Sequence, residues 1–165
     1  MHSSVTNVLF VSSAHAGRSL LAEACLNHHA AGKLKAYSCG DPATLAEAPH
    51  SWTLLALGTA GIPSADLHCK SWVEFLRSGA PRMDFVVGLD QASFSRHPAW
   101  PGQPITALWD YPAIERNKKR PSDAAIEAVH TLMSLQRRIE LLISLHAHGR
   151  SRGDLQHDLR DLTHL

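Results

Sequence analysis

The chain has 165 residues, of which 44% are hydrophobic, and its 16 Lys and Arg residues nearly balance its 15 Asp and Glu residues. This length allows one domain with a substantial core and is short for two. The balanced charge gives no indication of a nucleic-acid or membrane partner, and no apolar stretch approaches the length of a membrane span.

The first half of the chain alternates strand-like and helix-like segments. A strand is predicted at Asn7–Ser12, followed by a helix in "SLLAEACLNHHAAG" that ends at Gly32 and by a second strand in "LKAYSCG". The segments "PHSWTLLALGTAG" and "CKSWVEFLRSG" are predicted to be helices that end at Gly61 and Gly79.

The second half continues the alternation. "RMDFVVGLD" is predicted to be a third strand, nearly continuous in apolar residues, and "QPITALWDYP" a fourth. The longest helix opens at Pro121-Ser122 and carries one apolar stripe made by Ile126, Val129, Leu132, Leu135, Ile139 and Leu142. The tail from Gly149 resembles a short amphipathic helix after a flexible joint.

Strands that alternate with helices are typical of a doubly wound α/β fold. We therefore predict a single-domain, four-stranded parallel sheet flanked by helices. Residues 1–148 are expected to form the domain, and residues 149–165 a helical tail packed on or beside it. In such folds the ligand site lies outside the carboxyl ends of the strands, where the turn from Ser12 to Arg18 falls.

That turn has the features of an anion site. The first N–H groups of a helix have no internal partners and carry the positive end of its dipole, and Arg18 adds a forked cation that can pair two oxyanion oxygens. The amides from Ser13 to Ser19 are expected to supply the other donors. The predicted oxyanion-binding residues are Ser12, Ser13, Ala14, His15, Ala16, Gly17, Arg18 and Ser19.

The chain resembles the low-molecular-weight protein tyrosine phosphatase superfamily, and within it the arsenate reductase branch. That family's loop has an apolar strand, then Cys, five residues and Arg-Ser; here the same frame is Ser12, "SAHAG", Arg18 and Ser19. The similarity continues through "SCGDPA", "KSWVEF", "GAPRMDFVVGLD", "HPAWPGQPITALWDYPAIE" and "RGDLQHDLRDL". The resemblance implies the low-molecular-weight phosphatase fold.

The resemblance also implies catalytic positions, and here the chain departs from the family. Ser12 stands at the position of the nucleophilic Cys, and a hydroxyl is far less acidic than a thiol. His15 replaces the family's loop Asn, and we expect it to be structural rather than a base. Asp110 in "WDYPAI" resembles the family's general acid with one residue inserted; alternatively, it caps a turn before Pro112.

A second departure concerns thiol chemistry elsewhere in the chain. Leu89 and His97 occupy the places where thioredoxin-linked reductases carry further cysteines, so their disulfide relay is not available. Cys25, Cys39 and Cys69 form no C-x-x-C pair, which argues against a secreted disulfide framework and favours a cytoplasmic location. We expect Cys39 and Cys69 to be buried as small apolar residues.

The remaining signals favour structural roles. None of the 12 histidines has metal-ligand spacing, and His146 and His148 lie two apart on different helix faces, so no metal or cofactor is expected. The basic segment 115–121, "ERNKKRP", is expected to be a solvated loop. Trp72, Trp100 and Trp109 are expected in the core or at the site's rim.

The sequence thus predicts a phosphatase-like or arsenate-reductase-like protein that binds phosphate, arsenate or sulfate and is catalytically inactive or very weak. Whether it is an enzyme stays open. One alternative is a genuine arsenate reductase or tyrosine phosphatase with Cys changed to Ser to trap ligand. The other is a non-catalytic regulatory module that binds a phosphorylated partner. No protein partner is identified.

Overall fold

The computed structural model describes residues 5–15, 17–30, 32–114 and 120–165. Its four strands are β1 (Thr6–Ser12), β2 (Leu34–Gly40), β3 (Phe85–Gly88) and β4 (Ile105–Leu108). They pair in parallel in the order β2-β1-β3-β4. The prediction of a four-stranded parallel α/β sheet flanked by helices is confirmed.

The helices are α1 (Arg18–His29), α2 (Ser51–Thr59), α3 (Gln91–Arg96), α4 (Pro121–Ala147) and α5 (Arg152–Asp161). The segment "CKSWVEFLRSG" forms only a 3₁₀ helix, Trp72–Phe75. Its buried residues Trp72 and Phe75 are three apart, and a 3₁₀ repeat places both on one side. Sequence analysis did not predict α3.

Both faces of the sheet are covered, which explains the nearly continuous apolar character of β3. On β1, Val8 and Phe10 belong to the core beneath α1, α2 and α4. Leu9 and Val11 face the other way and pack in a second cluster with Trp72, among others. Successive residues of a strand point to opposite faces, so β1 contributes to both cores.

The apolar stripe of α4 differs from the prediction at one end. Leu132, Leu135, Ile139 and Leu142 are at most 2% exposed, whereas Ile126 is 54% exposed. Near this end of the helix the buried residues are Ala124 and Ala128. These small side chains occupy the inward positions of the first turns, which leaves Ile126 pointing outward.

Residues of the C-terminal tail contact β4 and the segment after it. The Trp109 indole N–H donates to the Leu159 carbonyl over 2.9 Å, and the Thr163 hydroxyl donates to the Leu108 carbonyl over 2.8 Å. Leu155 and Leu159 are buried in the same core as Trp109. The tail therefore shares the core of the sheet. Trp72, Trp100 and Trp109 are all buried.

Two sequence predictions concern residues that the structure does not describe. Ala16, in the predicted anion loop, lies outside the described residues, and so do residues 115–119 of the predicted basic loop. Within the described ranges no helix is both long and apolar enough to cross a bilayer. In the same ranges no three His, Cys, Asp or Glu residues are grouped so that they could hold a metal ion.

Candidate functional site

The loop after β1 lies where the connections of the sheet diverge. From β1 the chain crosses to β2 on one side, and the later strands β3 and β4 lie on the other. Such a switch point opens a crevice at the carboxyl ends of the strands. Ser12 ends β1, and Asp41, Asp90 and Asp110 come one or two residues after the other three strands. Polar side chains therefore collect at this edge.

A chain of short hydrogen bonds lies at the floor of the crevice. The Ser12 Oγ and Ser19 Oγ atoms are 2.6 Å apart, and Ser19 Oγ lies 2.7 Å from His15 Nδ1. Ser12 is 1% exposed, and Ser19 and His15 are fully buried. The loop thus places the residue at the nucleophile position, Ser12, in contact with another hydroxyl rather than directly with a base.

His15 is held in an unusual backbone conformation, with φ of 55°. Burial and the positive charge of Lys70 lower the pKa of its imidazole from 6.5 to about 3, so the ring is neutral at physiological pH. A Cβ atom at Gly40 would lie 2.5 Å from the His15 Cβ atom, so the neighbouring strand must have glycine there. His15 is built into the loop, as the structural interpretation of the sequence expects.

Asp90 organises the other side of the loop. Its Oδ1 atom accepts from the Ser13 hydroxyl and the Ser93 amide, both at 2.8 Å. Its Oδ2 atom accepts from the Ser13 amide at 2.7 Å and lies 2.9 Å from Arg18 Nη2. Burial acts to raise the pKa of this carboxyl, but these hydrogen bonds and the Arg18 charge outweigh burial and lower it. Asp90 is therefore a fixed anion.

Arg18 is positioned by two partners and keeps donors for a ligand. Its Nη1 atom donates to the Tyr111 carbonyl over 2.7 Å, and its Nη2 atom pairs with Asp90. Burial lowers the pKa of the guanidinium, and Asp90 and Asp110 oppose that effect. An arginine stays charged nonetheless, and a guanidinium has five N–H donors, of which these two contacts use two.

The carbonyl groups of the loop are bonded away from the crevice. The Ser13 carbonyl accepts from the Asp41 amide at 3.2 Å and from the Thr44 hydroxyl at 2.7 Å. The Ala14 carbonyl accepts from the Ala46 amide at 2.8 Å. The segment after β2 therefore takes up the acceptors of two successive loop residues.

The next carbonyl is also occupied, because the Cys69 thiol donates to the His15 carbonyl over 3.0 Å. By contrast, the backbone N–H groups of Ala14, His15 and Gly17 have no acceptor among the described residues. Consecutive N–H groups with their carbonyls turned outward form an anion-binding concavity. Among the described residues of the loop, the carbonyls of Ser13, Ala14 and His15 are thus occupied, while the amides of Ala14, His15 and Gly17 are available to a ligand.

A cavity of about 440 Å³ opens above the loop. Its far side is made by Leu45, His50, Trp52 and Ile114. The rings of His50 and Trp52 have their centroids 4.8 Å apart. A Cβ atom at Gly17 would lie 2.3 Å from the Trp52 ring, so the indole rests directly on the loop. The cavity is wider than a single anion and has an aromatic wall.

The structure brings most of the predicted site residues together, with one difference. The Ser13 amide and hydroxyl both bond Asp90, so the Ser13 amide is not among the donors that face the crevice. Asp110 is exposed, and its charge acts on Arg18, which places the two side chains near each other. Among the described residues no hydrogen bond holds the Asp110 carboxyl in place.

Sequence analysis missed several residues that shape the loop, among them Asp90, Thr44 and Cys69. Of these three, only Asp90 carried a local signal, because Asp is a preferred N-cap residue and its side chain caps α3 by accepting from the Ser93 amide. Thr44 and Cys69 reach the loop across the fold, and nothing in their sequence neighbourhood indicates this contact.

The thiols of the chain are poor nucleophiles. Burial raises the pKa of Cys25 to about 12 and also raises the pKa values of Cys39 and Cys69. All three cysteines are free. Cys25 and Cys39 are buried, as predicted for Cys39, whereas Cys69 is only half-buried. At the positions of the expected relay cysteines, Leu89 is buried and His97 stacks against Trp100.

Comparison with known proteins gives a consistent family relationship. Residues 7–119, more than half of the chain, match the family model described as low molecular weight phosphotyrosine protein phosphatase. No curated protein sequence matches the chain.

Solved structures share the fold at low identity. An arsenate reductase from Archaeoglobus fulgidus is 22% identical with a TM-score of 0.62. The match covers 83% of this chain and 98% of that protein. A low molecular weight protein tyrosine phosphatase from T. tengcongensis is 22% identical with a TM-score of 0.59, covering 84% and 98%. A thioredoxin-dependent arsenate reductase from Corynebacterium glutamicum is 22% identical with a TM-score of 0.53; the match covers 86% of this chain but only 65% of that protein.

Proposed function

We propose that this chain, which belongs to the low molecular weight phosphotyrosine protein phosphatase family, binds a tetrahedral oxyanion and lacks the family's thiol reaction. The anion lies in the loop from Ser12 to Ser19, where phosphate, arsenate and sulfate are the candidate ligands. The similar solved structures include arsenate reductases and a tyrosine phosphatase, so an oxyanion is the shared feature of the reactions in their names.

The observation that carries the proposal is the direction of the loop's backbone groups. The carbonyls of Ser13, Ala14 and His15 are bonded outward, and the amides of Ala14, His15 and Gly17 keep no acceptor among the described residues. An anion satisfies those donors and adds charge-assisted bonds to Arg18, next to the N-terminus of α1.

The proposed lack of turnover rests on the nucleophile position. Ser12 contacts the Ser19 hydroxyl, and the nearest imidazole has a pKa of about 3, which makes it a weak base. None of the three cysteines offers a substitute thiolate, since burial raises the pKa of each. We also propose a cytoplasmic location, because the three thiols are free.

Calorimetric titration with inorganic phosphate tests the binding proposal. The wild-type chain is expected to bind one phosphate, and Arg18→Ala should weaken binding by at least about tenfold because it removes a charged, forked donor. Arg137→Ala is the matched control, because Arg137 is exposed on α4, away from the loop. Equal phosphate affinity in the wild type and Arg18→Ala would refute the proposal.

A turnover assay tests the second half of the proposal. The chain should show no hydrolysis of a chromogenic aryl phosphate and no thioredoxin-coupled arsenate reduction, since loss of a catalytic nucleophile costs on the order of a millionfold in rate. Hydrolysis within about a hundredfold of thiol-dependent family members, and its abolition by Ser12→Ala, would show instead that the hydroxyl is an active nucleophile.

A further inference from the structure

The segment after β4 carries one of the two groups that orient Arg18. The Tyr111 carbonyl accepts from Arg18 Nη1 over 2.7 Å, and the other contact of the guanidinium is its ion pair with Asp90. A carbonyl holds a guanidinium in one orientation only where the residue that carries the carbonyl is itself fixed. The position of Tyr111 therefore contributes to the geometry of the loop from Ser12 to Ser19.

Tyr111 is held through both its backbone and its ring. Its amide donates to the Leu89 carbonyl over 2.9 Å, and its hydroxyl oxygen lies 2.9 Å from Ser134 Oγ. The Arg138 guanidinium lies over the Tyr111 ring, 4.8 Å from its centroid, and over the Trp109 ring at 5.8 Å. Arg138 is only 6% exposed, and the attraction between a cation and an aromatic face is stronger where water is excluded.

The same arginine also holds the C-terminal tail. Arg138 Nη2 donates to the backbone oxygens of Thr163 and Leu165 over 3.1 and 3.2 Å. Its Nε and Nη1 atoms are buried and have no hydrogen-bond partner among the described residues, so the two aromatic rings stabilise the rest of the group. One side chain therefore connects the tail to the segment that orients Arg18.

Two further hydrogen bonds join the tail to this segment. The Trp109 indole N–H donates to the Leu159 carbonyl over 2.9 Å, and the Thr163 hydroxyl donates to the Leu108 carbonyl over 2.8 Å. Displacement of the tail would break both bonds and would remove both acceptors of Arg138 at the same time. The support of the segment after β4 therefore depends on the docked tail.

We infer that Arg138 is a positioning residue for the oxyanion site and makes phosphate affinity depend on the docked C-terminal tail. This inference rests on the proposed function of the loop. Arg138 does not line the cavity above the loop, so it acts through Tyr111, whose carbonyl fixes Arg18. When the tail is displaced, Arg18 loses part of its support, and ordering it again on binding costs affinity.

Calorimetric titration with inorganic phosphate tests the role of Arg138. Arg138→Met removes the guanidinium and keeps a long apolar side chain, and phosphate affinity should fall by about fivefold or more. Arg138→Lys keeps a cation near the Tyr111 ring and should recover part of the affinity. Arg137→Met is the matched control, because it removes the same charge from the neighbouring, exposed position on α4, and it should bind phosphate like the wild type.

A second control separates positioning from a general loss of stability. Ile105→Val shortens a buried side chain at the start of β4, at the opposite end of the parallel strands from the loop. It should lower the free energy of unfolding, measured by chemical denaturation, and leave phosphate affinity unchanged. If Ile105→Val weakens phosphate binding as much as Arg138→Met does, the effect of Arg138 is destabilisation and the inference fails.

Hydrogen exchange in the wild type tests the coupling without any variant. Because coupling between two sites is reciprocal, saturating phosphate should hold the tail more tightly. The Trp109 indole N–H exchanges when its bond to the Leu159 carbonyl opens, and phosphate should slow this exchange by about fivefold or more. The Ala30 amide, bonded to the Leu26 carbonyl at the end of α1 away from the loop, is the reference and should slow less.

The outcomes distinguish the inference from the proposed function. Equal phosphate affinity in the wild type and Arg138→Met would overturn the inference and leave the oxyanion site intact. The same holds if phosphate slows exchange of the Trp109 indole N–H no more than exchange of the Ala30 amide. Absence of phosphate binding by the wild type would refute the proposed function and the inference with it.

Discussion

At the scale of single residues, Asp90 does as much to define the site as Arg18. It accepts four hydrogen bonds, and these connect the start of the loop, the guanidinium and the first turn of α3. Removing the Asp90 charge would leave the Ser13 amide without its acceptor and Arg18 without its ion pair. Asp90 therefore also determines how the Arg18 side chain is oriented.

We predict that Asp90→Asn weakens phosphate binding and destabilises the fold by about 3 kcal/mol, because an amide cannot accept all four bonds and the buried Arg18 charge loses its partner. Calorimetry and chemical denaturation measure the two effects. Asp66→Asn, at an exposed aspartate, is the control for the charge change. Unchanged phosphate affinity in Asp90→Asn would mean that Arg18 is positioned without it.

Most of the loop from Ser12 to Ser19 could be predicted from the sequence at this scale, because strand, small residues, Arg and helix follow one another within a few positions. Ser12, His15, Arg18 and Ser19 all lie at the crevice. The role of Ser13 could not be predicted, because its partner Asp90 is 77 residues away in the chain. Which amides face a ligand depends on such long-range bonds.

At the scale of elements, α2 packs directly against the loop. Trp52 lies on the second position of α2 and its ring rests on Gly17, which precedes α1. The Trp52 indole leaves no room for a side chain at Gly17. The first turn of α2 therefore limits the space that is available to the loop from Ser12 to Ser19.

We predict that Gly17→Ala lowers phosphate affinity and shifts tryptophan fluorescence, because the new methyl group would lie 2.3 Å from the Trp52 ring. The double variant Gly17→Ala/Trp52→Leu should recover phosphate affinity by removing the clash. Gly58→Ala is the matched control, because a Cβ atom there would meet nothing within 4 Å. Wild-type affinity in Gly17→Ala would show that Trp52 moves aside without consequence.

The predictability of the elements differed for physical reasons. β2 has the predicted bounds, and α4 begins at the predicted Pro121, since proline is favoured at the first position of a helix. The segment around Trp72 was predicted to be a helix, but only a 3₁₀ helix of four residues forms there. The six-residue α3 is too short to show a helical period, although its Asp90 cap was visible.

At the scale of the whole molecule, the order of the strands places β1 inside the sheet, between β2 and β3, with the loop from Ser12 to Ser19 at its end. Strand order cannot be predicted from the alternation of elements alone, whereas the parallel class can, because helical connections join the strands. Burial of His15 in the fold also keeps its imidazole uncharged, which couples the site to global stability.

We predict that acid destabilises the molecule through His15. The unfolded chain protonates this residue near pH 6.5, and the folded chain only near 3, so the unfolded state binds more protons between these values. The free energy of unfolding should therefore fall as pH drops below 6.5, by at most about 1.4 kcal/mol per pH unit from this residue.

Chemical denaturation at about pH 7.5 and about pH 5 measures this slope. His15→Asn should flatten it, because Asn has no proton to take up and tolerates the left-handed backbone conformation. His130→Asn, at an exposed histidine on α4, should keep it. If His15→Asn shows the wild-type slope, His15 is protonated in the folded protein and the chain of bonds to Ser12 must be reassigned.

The claim that the family's anion pocket is retained while its thiol is absent can be tested with a single sulfur atom at residue 12. In Ser12→Cys, the new thiolate would lie beside the Ser19 hydroxyl and near Arg18 and the N-terminus of α1. These groups stabilise a thiolate. The background replaces Cys25 and Cys39 by Ala, and Cys69 by Ser so that a donor to the loop remains.

The decisive measurement is the rate of iodoacetamide alkylation of Ser12→Cys as a function of pH. We predict that the thiol ionises near neutral pH, well below the ordinary value of about 8.5, and that some hydrolysis of a chromogenic phosphate ester returns. A thiol that titrates at about 8.5 and supports no hydrolysis would contradict the account, because the loop would then lack the positive electrostatic potential that binds an oxyanion.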